Sequence, residues 1–249
     1  MEEPGATGTD WRVHYSITLP ELRCDYYELT NGKGAEKFKR FPVHRGDLIL
    51  GDRGYCHREG VAYILRQKGH SLVRLNSSNF PLETRRGKAF NILEHVRGLH
   101  GRQPGEWAVQ FEAYGEKWPA RFCAIRKTET SAELAKKKIL RKAKQNNTAT
   151  RPETLESAEY VYLLVTVKRD VLSTREVLNL YRARWQIELC FKRMKSLLQL
   201  GHLPKKSDES ARAWIQGKLL TVLLIERLLD EARLFSPWGF AISTAQPLA

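Results

Sequence analysis

A chain of 249 residues with 42% apolar content and six tryptophans can bury a sizeable core, as one large domain or two small ones. Its formal charge of +14 suits a polyanionic partner (DNA, RNA or an anionic surface) without choosing among them. No basic, apolar leader opens the sequence, no apolar run could span a bilayer, and the four cysteines form no C-x-x-C pair. A reduced, cytoplasmic protein with no membrane partner, no disulfide framework and no zinc site is therefore expected.

In chain order, residues 1–12 are rich in Gly and Thr and read as loop. Val13, Tyr15, Ile17 and Leu19 alternate, which predicts a strand, and a second strand over 23–30 completes an antiparallel hairpin. The N-G-K-G loop at 31–34 lacks the spacing of a phosphate-binding loop. A short helix is expected over 35–40. The apolar run Leu48 to Leu50 predicts a buried strand, and Asp52 sits just past its end, where ligands collect at the carboxyl ends of parallel strands. Taken alone, Asp52 reads equally well as a turn residue for the Arg53-Gly54 bend. An amphipathic helix over 59–68, with Val61, Ile64 and Leu65 inward, leads to a strand at 72–75.

From 77 to 170 turn residues punctuate β-like segments at 107–114, 118–125 and 160–167, the pattern of an antiparallel, β-rich insertion. Inside it, residues 132–145 form a basic helix carrying Lys136, Lys137, Lys138, Arg141, Lys142 and Lys144. Contact with phosphates and a merely solvated face are equally weighted readings of that helix.

Residues 173–200 contain neither Gly nor Pro and open on a capping box, Ser173 with Glu176. Gly201 as a left-handed terminal residue and Pro204 as a stop complete the prediction of one long helix. Leu180, Ile187, Phe191, Met194 and Leu198 form its apolar stripe. Beside them Tyr181, Arg184, Glu188 and Lys195 fall within an arc of roughly 60° on such a helix. Spacing alone favours a solvated polar face with a Glu188–Arg184 pair of a few tenths of a kcal/mol. Ser207 then caps a second long helix over 211–234, apolar through Leu219, Leu220, Leu223, Leu224 and Leu228 and packed on the sheet or on the helix of Glu188. The stretch 236–249 reads as a frayed tail.

The spacing Y-(2)-R-(3)-E-(6)-K, its Trp185-x-x-Glu188-x-x-Phe191-Lys192 context and the D-R-G-Y at 52–55 together resemble DDE transposases of the insertion-sequence-4 group. The resemblance implies an α/β fold: an RNase H-like mixed sheet with flanking helices, interrupted by the β-rich insertion. The core would occupy 1–76 and 171–235, the insertion 77–170 and the tail 236–249. Asp52 and Glu188 would be catalytic carboxylates that bind metal, and Tyr181, Arg184, Lys195, Lys192 and Arg53 would contact DNA. The implied cofactor is Mg²⁺ or Mn²⁺ in a two-metal site, and the implied partners are double-stranded DNA, as transposon ends and target, and a second copy in a homodimer. The G-A-T-G-T-D-W-R segment at 5–12 is similar to a family segment that follows the first catalytic Asp. That strand and that Asp are therefore expected to be absent, with Asp10 and Asp25 as poor substitutes. The expected function is metal-dependent phosphodiester hydrolysis and strand transfer in a truncated, impaired copy. A non-catalytic DNA-binding remnant that competes with intact transposase, and a basic RNA-binding protein, are the alternatives.

Overall fold

The computed structural model describes residues 11–201, 203 and 207–234. In chain order these form strands β1 (Trp11–Ile17) and β2 (Cys24–Asn31), a 3-10 turn at Phe38–Arg40, strand β3 (Leu48–Gly51) and a second 3-10 turn at Arg53–Tyr55. Helix α1 (Arg58–Arg66), strand β4 (His70–Arg74), the short β5 (Glu83–Thr84) and α2 (Ile92–Val96), and strands β6 (Gly105–Ala113) and β7 (Glu116–Arg126) follow. Then come α3 (Glu129–Gln145), α4 (Pro152–Ser157), β8 (Tyr160–Val165), α5 (Thr174–Arg182), α6 (Trp185–Leu197) and α7 (Asp208–Leu234). Among the described residues no helix is long and apolar enough to cross a membrane. The described chain divides into two compact units, residues 36–184 and residues 11–35 with 185–234.

In the larger unit the strands run in the order β3-β4-β8-β7-β6-β5 as one mixed sheet. β3 and β4 are parallel, as a strand-helix-strand crossover through α1 requires, and the other pairings are antiparallel. The β-rich stretch is thus hydrogen-bonded into the same sheet as β3, because β8 pairs with both β4 and β7. Strand alternation decides what each face carries. Ile49, Val73, Phe111, Phe122 and Leu164 point to the side that packs with Val61 and Ile64 of α1. Leu48, Leu50, Leu72, Cys123, Leu163 and Val165 point the other way, where Val177, Leu180 and Tyr181 of α5 cover them.

The start of α5 is anchored to this sheet by a buried cation. Arg121 of β7 donates through Nε and Nη2 to both oxygens of Glu106 on β6, at 3.0 and 2.7 Å. Its Nη1 donates to the carbonyls of Val167 and Leu172, at 3.0 and 2.8 Å. The Thr174 hydroxyl, in the first turn of α5, completes the network on Glu106. The capping box is present as expected: the Glu176 N–H donates to the Ser173 hydroxyl oxygen, and the Ser173 N–H donates to the Glu176 carboxylate.

In the smaller unit β1 and β2 form the expected hairpin, with Tyr15 opposite Tyr27. Ala211, Ile215 and Leu219 of α7 and Met194 of α6 are buried with Tyr15. Ser207 caps α7 as expected, its hydroxyl accepting from the Ser210 N–H at 3.3 Å. The Leu run of α7 does not form one buried face: Leu219 is 1% exposed, whereas Leu220 and Leu224 are 55% exposed and Leu228 is 67% exposed.

Two other expectations change. The helix over 35–40 is only the 3-10 turn Phe38–Arg40, whose Phe38 side chain is buried. The single helix over 173–200 is two helices. At Ala183 and Arg184 the backbone N–H groups bond three residues back, to Leu180 at 2.9 Å and Tyr181 at 3.2 Å, and the regular ladder lapses. No Gly or Pro marks the break. Packing does, because Leu180 belongs to the sheet cluster while Ile187, Phe191 and Met194 belong to the hairpin cluster.

Gly201 is also not the left-handed residue after α6. Gln199 takes that conformation at φ 52, and the N–H groups of Leu198 and Leu200 both donate to the Met194 carbonyl. An L side chain there costs about 1 kcal/mol relative to glycine. Gln199→Gly should therefore raise stability by up to about 1 kcal/mol, read as a higher denaturant midpoint with an unchanged slope. A lower midpoint would contradict this reading of the turn.

Candidate active site

Asp52 follows β3 in the same alternation as Leu48 and Leu50, and so falls on the side of the sheet that α5 covers. It stands at the carboxyl end of a parallel strand, and it caps the turn at Arg53–Tyr55, its Oδ1 accepting from the Gly54 N–H at 2.8 Å. Its other oxygen is engaged by no hydrogen bond or ion pair among the described residues. Arg53 is exposed beside it and donates to Asn76 Oδ1 at 2.8 Å.

Tyr181 lies across from this end of the sheet. Its hydroxyl oxygen is buried and meets no acceptor among the described residues, Arg184, a donor only, being the side chain that approaches it. The phenol's pKa is raised, first by burial; Arg184 and Arg74 pull it down and the nearby Asp52 carboxylate pushes it up. The Arg184 guanidinium carbon stands 5.7 Å from the Tyr181 ring centre, a cation–π distance. Residues 36–184 thus bring Asp52, Arg74, Tyr181 and Arg184 within electrostatic reach of one hydroxyl.

Arg74 was not singled out from the sequence. It ends β4, the strand parallel to β3, two residues after Leu72, so it emerges on the same face as Asp52. A cation two positions beyond an inward Leu, at the carboxyl end of the second parallel strand, was the available signal.

Glu188, Lys192 and Lys195 belong to α6, in the smaller unit. They recur at intervals of four and three, so they share one exposed stripe, where with Phe191 and Ser196 they line an open concavity. Tyr181 and Arg184 belong to the larger unit, at the end of α5 and just beyond it. Of the substitutes for a further carboxylate, Asp10 lies outside the described residues. Asp25 is on β2, where its Oδ1 accepts from the Ser16 hydroxyl. Among the described residues no three His, Cys, Asp or Glu side chains converge as a metal cluster.

The cysteines behave as packed thiols. All four are free. Burial pushes Cys24 and Cys56 up to about 11 and Cys123 up to about 12, and Cys190 is raised for the same reason. They stay protonated and unreactive at neutral pH.

Residues 33–224 match the family model described as a transposase DDE domain. The transposase for insertion sequence element IS421 of Escherichia coli is 32% identical over 243 residues, which is 95% of this chain and 66% of that protein. The transposase for element IS231F of Bacillus thuringiensis subsp. israelensis is 28% identical over 92% of this chain and 53% of its own length. That for IS231C of Bacillus thuringiensis subsp. berliner is 26% identical over 76% of this chain and 42% of its own length. The chain therefore spans at most about two thirds of the length of these curated relatives. With the family model covering most of its residues, the chain belongs to the DDE transposase-domain family.

Proposed function

We propose that this chain carries catalytic machinery of an insertion-sequence transposase of the insertion-sequence-4 group, built on an RNase H-like core and acting on the phosphodiester backbone of double-stranded DNA. What supports the reading above all is the Tyr181 hydroxyl, buried without an acceptor within electrostatic reach of Asp52, Arg74 and Arg184. A buried donor without an acceptor is unfavourable in the free protein by about 1–3 kcal/mol, and a phosphate oxygen would complete it. Arg74 and Arg184 would neutralise the same phosphate and Arg53 would hold backbone beside it, while Lys192 and Lys195 would contact DNA by the motif resemblance. A homodimer would bridge the two transposon ends.

The donor chemistry fits a divalent cation. Asp52 keeps one carboxylate oxygen outside its capping bond, and hard carboxylate donors suit Mg²⁺ and Mn²⁺. By the motif resemblance Asp52 and Glu188 would each be a metal ligand, and the metal when bound supplies charge stabilisation to phosphoryl transfer. The protein's own part is to fix the phosphate. Tyr181 stays protonated because burial raises its pKa, so it acts as a hydrogen-bond donor and not as a base.

Calorimetric titration of Mn²⁺ into the wild type, Asp52→Asn and Glu188→Gln tests this. Each substitution should weaken binding at least about 10-fold, the smaller loss expected even of a group supporting a ligand. Wild-type affinity in both variants would sink the catalytic reading. Duplex binding that persists without any metal binding would leave a non-catalytic competitor, and a preference for RNA would leave a basic RNA-binding protein.

A further inference from the structure

We infer that the exposed face of α3 is a sequence-independent track for the phosphate backbone of duplex DNA, separate from the strand-end site. The helix is held in a defined orientation. Ala132 is buried, the Thr128 hydroxyl caps the first turn, and Lys136 Nζ reaches Glu159 Oε1 at 2.6 Å, with Arg126 on the other oxygen at 2.9 Å. One cation thus serves as the anchor, and this fixes where the others point. Lys137, Lys138, Arg141 and Lys144 are exposed, fall within an arc of about 120°, and make no ion pair among the described residues.

This arrangement works against the helix that carries it. Lys137 and Arg141 stand four apart, and Arg141 stands three from both Lys138 and Lys144, so like charges adjoin along the stripe at a few tenths of a kcal/mol per pair. A face that only needed to be solvated would interleave acids, but the two acids of α3, Glu129 and Glu133, precede the stripe. A polyanion laid along it would turn the mutual repulsion into attraction. The stripe extends about 10 Å, a length over which a duplex presents about six phosphate charges. α3 has no aromatic residue on which an unpaired base could stack, which favours duplex over single-stranded RNA. The choice of DNA rests on the function proposed above.

The test is the salt dependence of binding to an arbitrary-sequence DNA duplex, with the full 249-residue chain. Changing Lys137, Lys138, Arg141 and Lys144 together to Ala should lower the slope of log K against log salt by about 3–4, roughly 0.9 for each phosphate that is no longer neutralised. Single alanine variants should each lower it by about 1. Lys-to-Arg changes at 137, 138 and 144 should leave the slope as it is. Thermal melting guards against unfolding, and alanine in these exposed positions should preserve the helix. An unchanged slope would overturn the inference, as would a loss confined to one DNA sequence or to RNA. Asp52→Asn leaves these cations in place and should keep the slope. If that variant loses Mn²⁺ while the alanine variant keeps the wild-type slope, the track fails and the strand-end site stands; the reverse outcome separates them the other way.

Discussion

Arg121→Met should destabilise the larger unit by about 3–5 kcal/mol, the range for removing one partner of a buried ion pair. The side chains of Arg121 and Glu106 are 10% and 15% exposed, so solvent screens the pair little. The substitution also leaves the carbonyls of Val167 and Leu172 without the Nη1 donor they share. The companion Arg121→Met/Glu106→Leu should recover much of the loss, because it removes the stranded carboxylate as well. Acid titration gives a second reading. The Arg121 hydrogen bonds hold the Glu106 carboxyl below the usual glutamate range, against the effect of burial. A depressed folded-state pKa contributes stability above the unfolded value of about 4.3, and that stability is lost as pH falls through the folded value. The wild type should lose stability over that acid window, and Arg121→Met should lose less. Chemical denaturation at neutral and acid pH checks both, and an Arg121→Met variant as stable as wild type would show that the network is not an anchor. Because the same network fixes the segment from Val167 to Thr174, the launch point of α5, its removal should also disturb the placement of Tyr181.

Tyr181→Phe should move stability and function in opposite directions. The hydroxyl is buried without an acceptor, so removing it relieves about 1–3 kcal/mol of unmet desolvation and raises the melting temperature by at least about 2–4 °C. The ring, its packing against the sheet cluster and its approach to Arg184 all remain. Binding of a phosphodiester ligand at the end of β3 should weaken, since a donor to a charged oxygen is worth about 1.5–3 kcal/mol, or about 10-fold and upward. Mn²⁺ binding should change little, because no carboxylate is altered. A destabilised Tyr181→Phe would mean that the hydroxyl has a structural partner, and undiminished phosphodiester binding would remove Tyr181 from the site. A stabilised protein with weaker binding is the signature of a residue kept for its ligand.

Strand and helix periods are local properties, and the sequence carried them well. Alternation at Val13, Tyr15 and Ile17 specified the hairpin, and the run from Leu48 to Leu50 specified β3. The Ser173 cap, the Ser207 cap and the basic helix around Lys136 all follow from signals within a few residues. The position of Asp52 just past a strand end was legible too, because the short apolar run before it is a local signal.

What the sequence could not carry are the choices made by packing. Nothing in the stretch from Tyr181 to Glu188 announces a break, because no residue there forbids a helix; the two halves part where their apolar side chains join different clusters. Gln199 and not Gly201 turned left-handed because closure of the helix on the Met194 carbonyl fell two residues earlier than the glycine. Leu220, Leu224 and Leu228 read as core, yet the buried stripe of α7 runs through Ala211, Ile215 and Leu219 and leaves those three exposed. Arg74 and Arg121 gained their roles from strand partners distant in sequence. Local composition sets which segments can form, because caps, periods and turns act over a few residues. Tertiary contacts decide which face each segment buries, because only a packed neighbour can compensate a buried charge or an unmet hydroxyl.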